Sequence, residues 1–288
     1  MIKKIKSFIY LGRFNSPTGA FLLAWPCTWG IAMAKPDLIY LMNFSLLLVI
    51  GSFIMRAAGC AWNDILDRHI DKKTIRTKNR PIASGSLTIT EGILFILMLL
   101  VIGFLILVSL PIPAIIISLI SIPLIIIYPL TKRITFFPQI WLGITFNIGI
   151  LIGYSCIAEK YPDISVIILY IGAIFWTIGY DTLYAMQDYK DDLLTGVKST
   201  AVKMQKYSGV FSAIAYLVST IIFCIALILN SFNILTIIII IMLGIWQITH
   251  AARTKINDTE KFKSGFNKSN ICGFLIFLMM IIDIYILN

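Results

Sequence analysis

Asn63-Asp64-Ile65-Leu66-Asp67-Arg68-His69-Ile70-Asp71 follows a long apolar run, and Tyr184-Ala185-Met186-Gln187-Asp188-Tyr189-Lys190-Asp191-Asp192 lies 121 residues further on. Aligned, Asn63, Asp67 and Asp71 fall on Tyr184, Asp188 and Asp192. Residues four apart share a helix face, so each stretch lines up carboxylates along one stripe. Asp181 continues the second stripe two turns back, roughly 10 Å deeper at about 1.5 Å per residue. Of the 14 acidic residues, seven sit in these clusters: Asp64, Asp67, Asp71, Asp181, Asp188, Asp191 and Asp192.

The surrounding chain is 59% hydrophobic and only 13% charged over 288 residues, with a mean hydropathy of +0.91. A soluble domain is about a quarter charged. The apolar runs are near 20 residues and continuous, the length a helix needs to cross about 30 Å of hydrocarbon. No period-2 alternation points to a β-barrel, and no polar stretch is long enough for a separate soluble domain. The chain reads as one all-α integral-membrane domain over residues 1–288. The five cysteines are scattered and read as buried small hydrophobes, and the two histidines lie too far apart in the chain to suggest a zinc site. The basic start, Met1 to Arg13, is too short for a cleaved signal, which favours a bacterial inner membrane.

About nine spans are expected: 17–34, 39–62, 91–110, 112–130, 138–157, 163–187, 208–229, 233–250 and 269–287. With the N-terminus inside, the inside segments 1–16, 56–90, 131–137, 188–207 and 251–268 carry 22 of the 24 Lys and Arg, leaving Lys35 and Lys160 outside. The net charge of +10 is therefore a membrane-topology signal and not a nucleic-acid footprint. The C-terminus falls outside. Both acidic stretches emerge on the inner face, where they can face each other across one cavity.

Several cations flank them. Arg13 at the entry to the first span is either a snorkelling anchor or a contact for an anionic substrate. The loop Arg76-Thr77-Lys78-Asn79-Arg80-Pro81 follows the first stripe, and Tyr128-Pro129-Leu130-Thr131-Lys132-Arg133 closes the fourth span. The polar stretch 250–268 reads as solvated topology charge. Pro26 predicts a kink in the first span.

Grouped carboxylates repel unless cations sit among them. Mg²⁺ takes one or two carboxylates plus phosphate oxygens, and Arg binds phosphate in bidentate fashion. Two acidic stripes ringed by Arg and Lys thus suit a diphosphate held through Mg²⁺. Asp67, Asp71, Asp188 and Asp192 are the leading ligand candidates, with Asp64 and Asn63 in support. Asp181 lies inside an apolar span, where an ionisable group is costly and functional by default.

These residues resemble the UbiA-type intramembrane prenyltransferases. Asn63-Asp64-x-x-Asp67-x-x-x-Asp71 is similar to the first aspartate motif of that superfamily and Asp181-x-x-Tyr184-Ala185-x-x-Asp188-x-x-x-Asp192 to the second. The stretches Arg13-x-x-x-Pro17-x-Gly19, Arg76-Thr77-x-Asn79-Arg80-Pro81, Tyr128-Pro129-x-x-Lys132-Arg133 and Gly196-x-Lys198-Ser199-Thr200 resemble the 4-hydroxybenzoate polyprenyltransferase branch of the ubiquinone pathway. The resemblance implies nine helices around a central cavity capped by cytoplasmic loops, and Mg²⁺-dependent prenyl transfer from a polyprenyl diphosphate to 4-hydroxybenzoate. On that reading Arg76, Arg80, Lys132, Lys198, Asn63 and Tyr184 contact substrate. Arg133, or else Arg13, holds the benzoate carboxylate, and Asp181 polarises or deprotonates the phenol or fixes an arginine. The prenyl tail lies toward the bilayer. No obligate protein partner is implied. Another acceptor (a naphthoate, haem or chlorophyllide) and a cation-coupled transporter are the alternatives.

Overall fold

The computed structural model describes residues 2–255 and 259–287. Twelve α-helices run in order: α1 (Ile2–Leu11), α2 (Thr18–Met33), α3 (Leu38–Asp71), α4 (Ile89–Leu107), α5 (Ile112–Ile134), α6 (Pro138–Ala158), α7 (Ile164–Ala185), α8 (Tyr189–Thr195), α9 (Thr200–Met204), α10 (Ser208–Leu229), α11 (Ile234–Ala252) and α12 (Thr259–Ile282). Short 3₁₀ turns cover Met186–Asp188 and Gln205–Tyr207, and a π-helical turn, Asp283–Leu287, ends the chain's last helix. Among the described residues, eight helices are long and apolar enough to cross a membrane. The sixteen residues of α2 span about 24 Å at 1.5 Å per residue, and α2 completes the expected set of about nine.

The helices begin and end for local reasons. Thr88 caps α4 reciprocally: its hydroxyl accepts from the Glu91 amide at 3.2 Å, while the Thr88 amide donates to the Glu91 carboxylate at 2.9 Å. Gly196, at φ +72°, ends α8 in the left-handed region. Pro26 does not end α2, which continues through it. α3 does not stop where its apolar run does; it carries on for 34 residues through the whole first acidic stretch. α12 likewise starts ten residues ahead of the expected span, and in its described part before residue 269 Phe266 meets the Tyr184 ring at 4.6 Å and the Lys268 amine lies 2.9 Å from the His250 Nδ1. Within α12, Asn270 accepts from the Trp25 indole at 2.8 Å. Part of the stretch 250–268 lies outside the described residues.

The main core lies between α2, α7, α10, α11 and α12. Its centre is an aromatic stack: Trp29 meets Trp176 at 5.1 Å and Phe223 at 5.5 Å, and Trp176 meets Tyr180 at 4.9 Å. Asn147 on α6 is fully buried and donates to the Ala173 carbonyl at 3.1 Å and the Thr177 hydroxyl at 2.8 Å, fixing α6 to α7. Buried Asp283 accepts from the Asn233 amide at 2.9 Å and from Thr236, so the last turn caps α11 from outside. By contrast α4 buries only Gly92, Phe95 and Leu99, with Ile96 packed beside them, and most of its other apolar side chains are exposed on the outside of the bundle.

Small residues let α2 and α6 touch backbone to backbone. A Cβ on Gly30 would overlap the Ile150 carbonyl, and one on Gly153 the Cys27 carbonyl. Gly30→Ala is therefore expected to destabilise the bundle by at least the about 1–3 kcal/mol typical of overpacking, because backbone cannot rotate away. Thermal unfolding in detergent, followed by size exclusion, measures this; an unchanged midpoint contradicts the close approach.

Candidate active site

α3 and α7 place their polar ends on one side of the bundle, and the loops after α3 and α5 and the segment 186–199 close over them. A cavity of about 220 Å³ lies between, lined by Asn63, Asp71, Tyr184, Asp188 and Asp192 together with Arg76, Arg80, Lys132 and Lys198. Asp181, Tyr128 and Gln139 also line it. Members of the two stripes thus meet, an arrangement that the charge topology permits. The second stripe stays on one face although its helix changes type: α7 ends at Ala185 and a 3₁₀ turn carries Asp188.

The first stripe is divided. Asp71 lines the cavity, whereas Asp64 and Asp67, each 1% exposed, lie behind the lining. Asp64 is gripped by the Arg13 guanidinium at 2.7 and 2.8 Å and by Arg80 at 3.1 Å. Arg80 also donates to Asp71 at 3.0 Å. Lys132 pairs with Asp67. Across the cavity the Arg76 Nε and Nη2 donate to Asp188 at 2.6 and 2.5 Å, and the guanidinium lies 5.8 Å from the Tyr184 ring centre. Burial opposes the Arg76 charge most strongly, but its hydrogen bonds to Asp188 together with the electrostatic pull of Tyr184, Asp188 and Asp71 outweigh that and hold its pKa above the usual arginine value. The Lys198 amine donates to the Ile134 carbonyl at 3.0 Å, at the cavity wall.

Arg13 is thus neither a snorkelling anchor nor a lining cation; it is tied to Asp64. Arg133 also points elsewhere. It donates to the Leu66 carbonyl at 3.1 Å, lies 3.6 Å from Asp67, and lines a separate outer pocket.

Arg56 takes the deep position instead. Counted by sequence among the inside cations, it sits within α3, eighteen residues from Leu38, as Asp181 sits seventeen from Ile164 in α7. At 1.5 Å per residue both lie about 26 Å along their helices. Arg56 and Asp181 interact electrostatically, Gln139 hydrogen-bonds Asp181, and the Phe146 ring centre is 5.6 Å from the guanidinium. The buried Arg56 Nε has no hydrogen-bond partner. A lone arginine in an apolar run is the signal that locates it, by the same rule that singles out Asp181.

Among the described residues no three His, Cys, Asp or Glu side chains form a self-sufficient metal cage. Mg²⁺ seldom relies on an all-protein cage, so at this site substrate oxygens would have to complete its coordination. The donor set is all oxygen. Asp71, Asp188 and Asp192 converge on the cavity, and Asp67 keeps one buried oxygen with no hydrogen bond.

The profile of the UbiA prenyltransferase family matches residues 23–277. A 4-hydroxybenzoate octaprenyltransferase of Haemophilus ducreyi is 36% identical over 275 residues, 96% of this chain and 99% of that protein. A mitochondrial 4-hydroxybenzoate polyprenyltransferase of Arabidopsis thaliana is 42% identical over 202 residues, 70% of this chain and 50% of that protein; the aligned region thus spans about half the length of this and similar mitochondrial relatives. In fold, the chain superposes on a UbiA homologue from Aeropyrum pernix with a TM-score of 0.72 at 20% identity, covering 91% of this chain and 97% of that one. A UbiA homologue from Archaeoglobus fulgidus, solved with GPP and Mg²⁺, gives 0.68 at 15% identity, covering 94% and 99%. With a matching profile along most of its length and two aspartate stripes meeting at one cavity, this multi-span membrane protein belongs to the UbiA prenyltransferase family.

Proposed function

We propose that this protein transfers a polyprenyl chain from a polyprenyl diphosphate to the ring carbon ortho to the hydroxyl of 4-hydroxybenzoate, releasing diphosphate, as a step of ubiquinone biosynthesis. The observation that carries this reading is the single cavity in which both carboxylate stripes meet Arg76, Arg80, Lys132 and Lys198 above, with Asp181 lining it below and Arg56 interacting with Asp181 from behind that lining. The names of bacterial relatives aligned over 99% of their length, 4-hydroxybenzoate octaprenyltransferases, support 4-hydroxybenzoate as the acceptor. The distribution of Lys and Arg supports a cytoplasmic site and N-terminus and a periplasmic C-terminus in a bacterial inner membrane.

Asp71, Asp188 and Asp192, with Asp67 behind them, would hold Mg²⁺, which when bound would screen the diphosphate charge and stabilise it as a leaving group, while Asp64 anchors Arg13 and Arg80 behind the lining. The chain's own cations do the rest. Arg76 and Arg80, now paired with carboxylates, exchange those partners for diphosphate oxygens when substrate enters, so no buried charge is left alone. Lys132 and Lys198 add charge where the C–O bond breaks. The cavity is smaller than the roughly 300–1,000 Å³ of drug-sized sites, so it takes the polar heads and leaves the tail to the bilayer. The loop cover and Tyr184 shield the allylic cation from water. The C–O bonding pair leaves with diphosphate, and the acceptor ring attacks the cation, forming the C–C bond, while Asp181 takes the phenol proton to give a dienone. Its ring carbon then loses a proton to the released diphosphate, and Asp181 returns the proton to the phenol oxygen. The orphan Arg56 N–H is the donor that the acceptor's carboxylate satisfies, and it replaces Arg133 and Arg13 in that role.

Reconstituted protein given a short prenyl diphosphate is expected to prenylate 4-hydroxybenzoate in preference to phenols without a carboxylate and to larger ring systems. Arg56→Gln removes a charged partner, which costs about 2–5 kcal/mol; the KM for 4-hydroxybenzoate is expected to rise at least tenfold with the donor KM unchanged. A variant that still prefers the carboxylate-bearing phenol contradicts the Arg56 role. A wild type that prefers another acceptor contradicts the 4-hydroxybenzoate assignment.

A further inference from the structure

A second pocket, of about 620 Å³, opens beside the cavity and is distinct from it. Arg68 and His69 from the last turn of α3 and Lys132 and Arg133 from the last turn of α5 line it, and among the described residues no acidic one does. Helix C-termini ordinarily repel anions. Here Arg68 donates to the Ile65 carbonyl at 3.0 Å and Arg133 to the Leu66 carbonyl at 3.1 Å, which offsets those carbonyls. A guanidinium has five N–H donors, so most of each fork remains for a ligand. Asp67, beside the pocket, is already paired with Lys132 and lies 3.6 Å from Arg133, and the described lining itself carries three permanent cations, Arg68, Lys132 and Arg133. Such a surplus beside open volume suits a multivalent phosphate-class anion.

Its position gives the source. Ile70, Lys132 and Val197 line both this pocket and the inner cavity, so one layer of side chains divides them. On the function proposed above, each turnover leaves a water-soluble diphosphate in a cavity whose lipid product leaves by the bilayer. We infer that the outer pocket is a diphosphate vestibule: Lys132 passes the released anion from the inner cavity to Arg68, His69 and Arg133, and thence to the cytoplasm. An anionic lipid headgroup has the same phosphate chemistry and is the competing occupant.

The test uses the full-length protein in nanodiscs of neutral lipid, with EDTA to remove divalent metal, and ³²P-labelled inorganic diphosphate as the probe. Binding is expected to persist without metal and to weaken at least tenfold in the Arg68→Gln/His69→Gln double variant, which keeps single-turnover prenyl transfer at the wild-type rate. Equal binding by wild type and double variant, or none without metal, overturns the vestibule. Loss of wild-type binding when phosphatidylglycerol replaces the neutral lipid assigns the pocket to headgroups and overturns it too. Direct binding reads out even if prenyl transfer is absent, so failure of the proposed reaction and failure of the vestibule are separable.

Discussion

Asp188→Ala protein is expected to fold normally and to lose prenyl transfer by about 10³-fold, the scale set by removing one group that stabilises developing charge in a preorganised site. Asp188 takes both the Nε and Nη2 donors of Arg76, yet the pair lies at the open end of the cavity, with side chains 19% and 39% exposed. An ion pair this wet stabilises a fold by about 0–1 kcal/mol. Its value is therefore chemical. When diphosphate binds, Arg76 moves its bidentate grip to phosphate and the freed carboxylate becomes an oxygen ligand. Alanine keeps the cation and removes that ligand. Asp188→Asn keeps the shape without the charge and is expected to be nearly as inactive. Turnover numbers in proteoliposomes, beside a thermal-unfolding midpoint within a degree or two of wild type, test the separation. A variant with wild-type turnover contradicts the role of the second stripe.

Asp64→Ala is expected to fail for the opposite reason, by loss of structure. Asp64 is 1% exposed and holds two guanidiniums at once, Arg13 and Arg80. Breaking a buried pair from one side costs about 3–5 kcal/mol, because the remaining charge is stranded. Arg13 and Arg80 keep 25% and 21% of their side chains exposed and recover some hydration, so about 3 kcal/mol is expected. The pair also holds the chain turn before α2, where Arg13 adopts φ +58°. Arg13→Ala should cost less, since Arg80 continues to neutralise Asp64. Unfolding midpoints of the two variants, measured in one detergent, give the comparison. If Asp64→Ala unfolds like wild type and loses only metal-dependent turnover, Asp64 is a metal ligand and not the anchor of these two arginines.

The contrast between these two aspartates shows what was legible in the sequence. Helical spacing put Asp71 on one stripe and Tyr184, Asp188, Asp192 and Asp181 on the other, and the charge count put their ends on one side, because periodicity and hydropathy are local properties of the chain. Spacing could not show that Asp64 and Asp67 sit behind the cavity lining. That depends on Arg13 and Lys132, which arrive from 51 and 65 residues away in sequence. Hydropathy also hid Arg56: one cation does not interrupt so apolar a run, and grouping it with the loop charges masked its depth. Arg133, next to Lys132 in sequence, was expected at the cavity, but consecutive residues on a helix face different ways, and only Lys132 lines it. The acidic spacing already required α3 to continue past its apolar part, whereas the early start of α12 carried no such signal. Polar helical turns held by tertiary contacts have no hydropathy signature.

The central claim is that two aspartate stripes jointly hold a metal-bound prenyl diphosphate against 4-hydroxybenzoate. Membranes containing the protein, supplied with Mg²⁺, a short prenyl diphosphate and ring-labelled 4-hydroxybenzoate, test it most directly. Label is expected to pass into a lipid-soluble product, to stop with EDTA, to resume when Mg²⁺ is restored, and to be lost in Asp71→Ala and Asp188→Ala alike. Folded protein that transfers no label with Mg²⁺ present, or transfers it equally well in EDTA, contradicts that claim.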